Sequence, residues 1–138
     1  MTPIAPKIAR NVAVIDQDRT VLDAAQLMVE RYIGSVVVDG GGHVNGIFTE
    51  RDLMRVVAQG RDPAGTPLKE VMRTQLVRAA PGDSIEHCLE LMRKHRCRHL
   101  LVYEGEEFVG IVSLRDLAAL MLEEKEALVE QLTRYITS

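Results

Sequence analysis

The sequence predicts an α+β fold made of two copies of one β-α-β-β-α unit, packed sheet to sheet with pseudo-twofold symmetry and followed by a C-terminal helical extension. Three observations predict it. The 138-residue chain aligns with itself at an offset of 64 positions without a gap. Short apolar runs alternate with helical periodicities in both copies. The composition, 46% apolar and 27% charged, is typical of a globular protein.

Identical residues at equivalent positions support the duplication. Residues 2–56 align with residues 66–120, and eleven of the 55 pairs are identical. The longest identical run is Arg51-Asp52-Leu53 with Arg115-Asp116-Leu117. The sequence therefore divides into a first repeat over residues 2–60, a linker over 61–65, a second repeat over 66–122 and a helical extension over 123–138.

The first half of each repeat predicts a strand followed by a helix. Thr2 and Thr66 each precede a proline, which is typical of an N-cap with proline at the first helical position. A short apolar strand is predicted over 12–15 and again over 76–79. Thr20 and Ser84 then predict the N-caps of helices with apolar residues at i, i+3, i+4 and i+7.

The second half of each repeat predicts a β-hairpin and a closing helix. The strands are predicted over 35–38 and 44–49, and over 99–103 and 108–113, with glycine and acidic residues between them. A phosphate-binding role for the glycines at 40–42 is disfavoured, because no helix begins after them. The closing helices are predicted to begin at Thr49 and Ser113.

Both repeats carry the pattern Gly-x-x-Thr/Ser-x-x-Asp where a strand leads into a helix, at residues 46–52 and 110–116. One interpretation is a capping box, in which the hydroxyl and the aspartate satisfy backbone groups of the first turn. The other is a ligand site, because a helix N-terminus and a hydroxyl bind an anion while a carboxylate accepts both hydroxyls of a ribose. Spacing alone leaves both interpretations open.

With two such segments in register, the chain resembles a tandem pair of cystathionine-β-synthase-type (CBS) domains, also called a Bateman module. The resemblance covers residues 2–120 and extends to the strands that begin at Ser35 and Arg98. It implies a regulatory sensor of adenosine-containing ligands such as AMP, ADP, ATP, S-adenosylmethionine or NAD, with AMP first among them. It also implies no catalytic machinery and no required cofactor.

The resemblance implies a role for individual residues. Asp52 and Asp116 would bind ribose, and the hydroxyls of Thr49 and Ser113 would lie near phosphate. One site would join Thr49 and Asp52 to Arg98 and His99, with adenine near Leu76 and Val77. The other would join Ser113 and Asp116 to Gly34 and Ser35, with adenine near Val12 and Ala13. Because Arg98 and His99 offer cations where Gly34 and Ser35 offer none, we expect the first site to hold phosphate more tightly.

Other patterns are interpreted as structural. The basic run over residues 93–99 suits a helix C-terminus, and with a net charge of −3 we expect no nucleic-acid partner. Cys88 and Cys97 align with apolar residues, so buried thiols in a reduced cytoplasmic protein are predicted rather than a metal site or a disulfide. No apolar run approaches 18 residues, so no membrane span or signal peptide is expected.

The helix that closes the second repeat continues without glycine or proline to the end of the sequence. Its apolar residues have the spacing of a coiled-coil seam: Leu114, Leu117, Met121, Leu128, Leu132 and Tyr135. The extension either caps its own module or pairs with a second chain, and the seam favours a homodimer. The alternative function is a ligand-free dimerisation scaffold, in which both Thr/Ser-x-x-Asp segments act only as caps.

Overall fold

The computed structural model describes residues 2–137. These residues form the two β-α-β-β-α copies, which confirms the α+β class and the C-terminal helix predicted from the sequence. The first copy consists of β1 (Val14–Asp16), α1 (Val21–Arg31), β2 (Ser35–Gly40), β3 (His43–Thr49) and α2 (Glu50–Ala58). The second consists of β4 (Arg78–Ala79), α3 (Ile85–His95), β5 (His99–Glu104), β6 (Glu107–Ser113) and α4 (Leu114–Thr137).

Each copy forms a mixed three-stranded sheet. β2 is the central strand of the first sheet, parallel to β1 and antiparallel to β3, and β5 has the same place in the second. Gly41 and Gly42 join β2 to β3 with φ angles of 65° and 86°, which a residue without a Cβ adopts readily. Both predicted hairpins are confirmed.

β1 and β4 begin two residues later than the sequence predicts. The preceding residues lie outside the strands, and one hydrogen bond joins each segment to the neighbouring strand. Val37 N–H donates to the carbonyl of Ala13, and Leu101 N–H donates to the carbonyl of Val77, both at 2.9 Å. Val12 and Leu76 therefore lie just outside the sheets.

Helices α1 and α3 begin as predicted. Thr20 and Asp23 form a reciprocal capping box at α1, and Ser84 accepts a hydrogen bond from the backbone of His87 at α3. Both helices end in a left-handed residue, Tyr32 or Arg96. Their buried side chains are Val21, Ala24 and Met28 in α1, and Ile85, Cys88 and Met92 in α3.

The chain packs into two compact units whose boundaries differ from the sequence repeats. The first-repeat unit runs from Asn11 to Leu76, and the second-repeat unit combines the chain up to Arg10 with the chain from Val77 onward. Each copy is thus completed by the segment that precedes the other copy in the sequence. Ile4 lies in the core of the second-repeat unit and its equivalent Leu68 in that of the first-repeat unit, both 0% exposed.

The predicted helix starts at Thr2 and Thr66 are wrong. Short 3-10 helices, Ala5–Lys7 and Leu68–Glu70, lie in these segments, and neither has a side-chain N-cap. The reason is visible at Thr66, whose carbonyl accepts a hydrogen bond from Val21 N–H at 2.9 Å and whose hydroxyl donates to the carbonyl of Asp62 at 2.7 Å. Docking onto α1 keeps Thr66 and the following proline extended.

The thiols of the second-repeat unit belong to its core. Cys88 is fully buried, as the sequence predicts, and Cys97 is partly buried against the same cluster. Burial raises the pKa of the Cys88 thiol to about 11, with a smaller contribution from the negative charge of Asp83. Cys88 is therefore a neutral packing residue at physiological pH.

Helix α4 changes its surroundings along its length. Leu117 and Leu120 are buried in the second-repeat unit, whereas residues 121–136 are exposed. Lys7 Nζ lies 2.6 Å from Glu123 Oε1, and Thr2 hydrogen-bonds Glu124, so contact with the chain start extends to this turn. Within residues 2–137, none of the helices combines the length and the apolar character needed to cross a bilayer.

Candidate functional site

The first Thr-x-x-Asp motif lies where β3 passes into α2. Thr49 is the N-cap of α2, and its Oγ1 accepts a hydrogen bond from the Asp52 N–H at 3.3 Å. Asp52 Oδ2 accepts from the Thr49 N–H at 2.9 Å and from the Thr49 hydroxyl at 3.0 Å. The carboxylate and the hydroxyl are therefore fixed against each other at the start of the helix.

The second motif repeats this geometry where β6 passes into α4. Asp116 Oδ2 accepts from the Ser113 N–H at 2.9 Å and from the Ser113 hydroxyl at 2.8 Å, and the Asp116 N–H donates to Ser113 Oγ at 3.1 Å. The two motifs thus share one hydrogen-bond pattern. The sequence predicted both residue pairs, and the structure brings the members of each pair together.

A third box, at α1, provides a reference for this geometry. Thr20 and Asp23 exchange the two backbone hydrogen bonds at 3.1 Å each, although neither residue was assigned to a ligand site. Hydrogen bonds from Thr20 lower the pKa of the Asp23 carboxyl below its usual 3.8, with a smaller contribution from the charge of Arg19. Capping alone therefore explains the two backbone hydrogen bonds that the three boxes share.

The surroundings of Asp52 supply a charge pattern that sequence reasoning missed. Arg55 Nη1 lies 3.1 Å from Asp52 Oδ1, and Arg73 Nη2 lies 4.0 Å from the same oxygen. The Asp52 side chain is only 3% exposed, whereas the two arginines reach solvent. Arg55 could have been found from its i+3 spacing. Arg73 lies 21 residues after Asp52 in the sequence, in the segment that completes this unit, and no local spacing indicates it.

The surroundings of Asp116 lack this pattern in the described part of the chain. Asp116 is partly buried, and no lysine or arginine side chain of residues 2–137 forms an ion pair with it. The positions equivalent to Arg55 and Arg73 are Ala119 and Ala9. The two motifs therefore share their hydrogen bonds but differ in charge.

The predicted strand residues lie beside the motif of their own copy. Ser35 is the register partner of Thr49, and the Gly34 carbonyl accepts from the Glu50 N–H at 3.0 Å. In the second copy, His99 is the register partner of Ser113, and the carbonyl of Arg98 accepts from the Leu114 N–H at 2.8 Å. The joining of each motif to the strand residues of the other copy stays a prediction.

The segments predicted to bind adenine are the residues directly before β1 and β4. Ala13 is 1% exposed and packs in the core of the first-repeat unit, while Val12, Leu76 and Val77 are partly buried. The carbonyls of Ala13 and Val77 are engaged with the adjacent strands. Adenine recognition by these segments also stays a prediction.

An open groove elsewhere in the first-repeat unit does not involve the predicted residues. It has a volume of about 430 Å³ and lies between β1 and α1, with the carboxylates of Asp16, Asp23 and Glu30 in its walls. Arg19, its basic residue, is paired with Asp23 at 3.2 Å. In residues 2–137, no group of three or more histidine, cysteine, aspartate or glutamate side chains is arranged to hold a metal ion.

Comparison with known proteins identifies the duplicated unit. The family model for the CBS domain matches residues 7–59 and again residues 68–123. A CBS domain-containing protein of Bacillus subtilis, YhcV, is 36% identical over 128 residues, which cover 92% of this chain and 91% of that protein.

Two solved structures show the same architecture. A protein with CBS domains from Burkholderia ambifaria MC40-6 superposes with a TM-score of 0.83 and 33% identity, covering 88% of this chain and 95% of the other. The CBS domain pair of protein MJ0100, solved with 5′-methylthioadenosine and S-adenosyl-L-methionine, superposes with a TM-score of 0.79. Its identity is 20%, and the match covers 90% of this chain and 98% of that one.

Proposed function

The chain belongs to the CBS-domain family, and we propose that this regulatory module senses an adenosine-containing ligand at its two Thr/Ser-x-x-Asp motifs. The observation that carries the proposal is the duplicated pairing of a hydroxyl with a carboxylate at a helix N-terminus, Thr49 with Asp52 and Ser113 with Asp116. A carboxylate accepts the two hydroxyls of a ribose, while the hydroxyl and the helix N-terminus suit the attached phosphate.

Each site is proposed to lie in the cleft between the repeats. In one, Thr49 and Asp52 act with Arg98 and His99, and adenine lies near Leu76 and Val77. In the other, Ser113 and Asp116 act with Gly34 and Ser35, and adenine lies near Val12 and Ala13. AMP is the first candidate ligand, because one ribose and one phosphate match one carboxylate and one helix N-terminus.

The solved structure of the MJ0100 pair supports the ligand class. That protein has the same fold and was solved with two adenosine-containing ligands, 5′-methylthioadenosine and S-adenosyl-L-methionine. A CBS pair can thus accommodate an adenosine moiety.

Calorimetric titration with AMP, ADP and ATP tests the proposal. We expect wild type to bind at least one of them and the double variant Asp52→Asn, Asp116→Asn to lose most of the affinity. Asp23→Asn is the matched control, because it weakens a capping box of the same geometry outside the proposed sites. Equal binding by the double variant would remove the site assignment, and no binding by wild type would remove the ligand class.

A ligand-free dimerisation scaffold is the second candidate function. The capping box of Thr20 and Asp23 favours it, because that box has the two backbone hydrogen bonds of the motifs without any proposed ligand. A ligand that binds the native state raises the melting temperature as its concentration exceeds the dissociation constant. A scaffold would instead show the same melting temperature with and without millimolar AMP, ADP or ATP.

The module is proposed to work as a homodimer in the cytoplasm and to have no catalytic activity of its own. Helix α4 supports the homodimer, because apolar residues continue along its exposed face beyond the core of its unit. The cytoplasmic location is proposed because two cysteines are too few for the disulfide framework of a small secreted domain. Sedimentation of the purified protein at micromolar concentration tests the dimer directly.

A further inference from the structure

The two motifs occupy equivalent places in two units that differ in charge. The segment that precedes each copy in the sequence is hydrogen-bonded to a strand of the other copy, namely the strand that leads into that copy's motif. Arg73 exchanges backbone hydrogen bonds of 2.9 and 3.0 Å with Ile47, and Ala9 exchanges bonds of 2.8 and 3.1 Å with Ile111. Because Ile47 and Ile111 are themselves equivalent in the sequence repeat, residues 9 and 73 lie at the same structural position.

This equivalence makes the charge difference direct. In the first-repeat unit, the Asp52 carboxylate has two guanidinium groups beside Oδ1, from Arg55 at 3.1 Å and Arg73 at 4.0 Å. In the second-repeat unit, alanine stands at both equivalent positions beside Asp116. Counting the aspartate and these two positions alone, the formal charge is +1 at Asp52 and −1 at Asp116. Glu50, which stands in the first turn of α2 where α4 has Leu114, reduces this difference by one charge.

Arg55 also occupies one oxygen of the carboxylate that a ribose would need. Asp52 Oδ2 accepts two hydrogen bonds from Thr49, and Oδ1 accepts one from Arg55. The side chain is 3% exposed, so a sugar diol would compete with Arg55 in a confined space. Asp116 accepts the same two hydrogen bonds on Oδ2, and no hydrogen bond from any other described residue to Asp116 is observed.

We propose that Arg55 and Arg73 are specificity-determining residues that make the Thr49/Asp52 motif select polyphosphate, while the Ser113/Asp116 motif selects the uncharged sugar diol of a nucleoside. This inference rests on the proposed function and deepens it by assigning different ligand chemistry to the two motifs. Arg55 and Arg73 are 53% and 35% exposed, so both guanidinium groups can meet a solvent-borne anion. Arginine offers planar, paired donors that match the oxygens of phosphate.

The test is titration with three probes: ATP, adenosine and inorganic pyrophosphate. We expect wild type to bind one equivalent of pyrophosphate tightly and the double variant Arg55→Ala, Arg73→Ala to bind it at least about tenfold more weakly, with ATP following pyrophosphate. Adenosine affinity should not fall, because the variant leaves Asp116 untouched and releases Asp52 from Arg55. Arg51→Ala is the matched control, because it removes an arginine of the same helix that makes no ion pair with Asp52.

A reciprocal variant keeps the test valid if loss of both arginines unfolds the first-repeat unit. Ala9→Arg with Ala119→Arg introduces guanidinium groups beside Asp116, at one exposed and one partly buried position. We expect this variant to bind two equivalents of pyrophosphate. An unchanged stoichiometry in the reciprocal variant, or pyrophosphate affinity in the double alanine variant equal to that of Arg51→Ala, would overturn the inference.

Failure of the inference and failure of the proposed function give different results. If the nucleotides bind wild type and the arginine variants alike, the sensor function stands and the assignment of specificity to Arg55 and Arg73 falls. If pyrophosphate binding follows the arginines but no adenosine-containing ligand binds, the anion selectivity stands and the adenosine sensor falls. Absence of binding by all three probes would overturn both.

Discussion

At the scale of single residues, the enclosure of a charge decides how strongly each aspartate supports its helix. Asp52 and Asp116 cap their helices with the same hydrogen bonds, but Asp52 is more deeply buried and is neutralised by Arg55. Removing an enclosed carboxylate costs more than removing an exposed capping carboxylate, because its buried hydrogen-bond donors are left without an acceptor. Because Arg55 is half exposed, solvent screens part of its contribution.

Replacement of each aspartate by alanine should reveal this difference. We expect Asp116→Ala to lower the free energy of unfolding by about 1 kcal/mol, the usual effect of losing a cap. Asp52→Ala should lower it by roughly 1 kcal/mol more, because the ion pair with Arg55 is lost as well. Urea denaturation of the two variants measures the values, and equal losses would contradict the importance of the ion pair.

The Cys88 thiol predicts a loss of stability in alkali. Burial raises its pKa to about 11, so the folded protein keeps this proton at pH values where the unfolded chain, with a pKa of 9.0, has released it. Stability from this group is therefore complete below pH 9 and falls as pH rises to 11, at up to about 1.4 kcal/mol per pH unit.

The variant Cys88→Ala isolates this contribution. It removes the titrating group, so its free energy of unfolding should fall less steeply between pH 9 and 11 than that of wild type, although it is less stable at pH 8 because of the cavity. Urea denaturation at several pH values compares the slopes. Parallel curves for the two proteins would show that the thiol does not titrate as expected.

At the scale of elements, the helix caps were predictable from local sequence, whereas the packing of each N-terminal segment with the other copy was not. The boxes at Thr20 and Thr49 were predictable because their partners lie three residues away on the same helix. The packing of the segment around Ile4 with the second copy was not, because both copies begin with the same Thr-Pro pair and either core could accept an aliphatic side chain. Arg73 was missed as a partner of Asp52 for the same reason.

A glycine in β6 tests the docking of the N-terminal segment. A Cβ on Gly110 would lie 2.5 Å from the carbonyl oxygen of Ala9 and 2.6 Å from Cγ2 of Ile8, so Gly110→Ala should force the segment away. We expect a loss of roughly 1–3 kcal/mol in the free energy of unfolding. Under native conditions, trypsin should also cleave the Gly110→Ala variant after Arg10 sooner than it cleaves wild type.

Gly82→Ala is the control for this experiment. A Cβ at Gly82 would meet no atom within 4 Å, and its φ angle lies outside the left-handed region. Its stability and its cleavage rate should therefore match those of wild type. If Gly110→Ala had the stability and cleavage rate of wild type, the segment around Ala9 could shift without a cost in free energy. Its two hydrogen bonds to Ile111 would then not hold it tightly.

At the scale of the whole molecule, α4 has two apolar faces with different roles. Leu117 and Leu120 complete the core of the second-repeat unit. The predicted seam loses Leu117 to this core and gains side chains that sequence reasoning missed. The exposed apolar side chains are Leu114, Met121, Leu122, Leu128, Val129, Leu132, Tyr135 and Ile136. Pairs of them recur every seven residues, which is the repeat of a helix that packs against another helix.

The homodimer proposed above takes a second copy of the chain as the partner of this face. A stripe of eight apolar side chains at roughly 60–120 Å² each amounts to the order of 500–900 Å², close to the roughly 800 Å² that each partner buries in a standard interface. On a second copy, the apolar side chains of α4 recur with the same seven-residue spacing, so the two helices can pack along their whole exposed length. Contacts of α4 with its own unit are observed as far as Glu123 and Glu124, and residues 125–136 are exposed beyond them, which favours pairing over capping for that part of the helix.

Polar substitution on this face should therefore separate the copies while leaving each unit folded. We expect wild type to sediment as a dimer at micromolar concentration and the double variant Leu128→Gln, Leu132→Gln to sediment as a monomer. Both leucines are more than half exposed, so their replacement should leave each unit folded. The melting temperature of wild type should rise with protein concentration because of dimerisation, and that of the variant should not.

Glu130→Gln is the control, because residue 130 lies on the opposite face of the same turns and its substitution should leave the dimer intact. A monomeric wild type would remove the proposed dimer. A double variant that stays dimeric would instead transfer the interface to another surface, such as the one around the exposed side chains of Met54 and Val57 on α2.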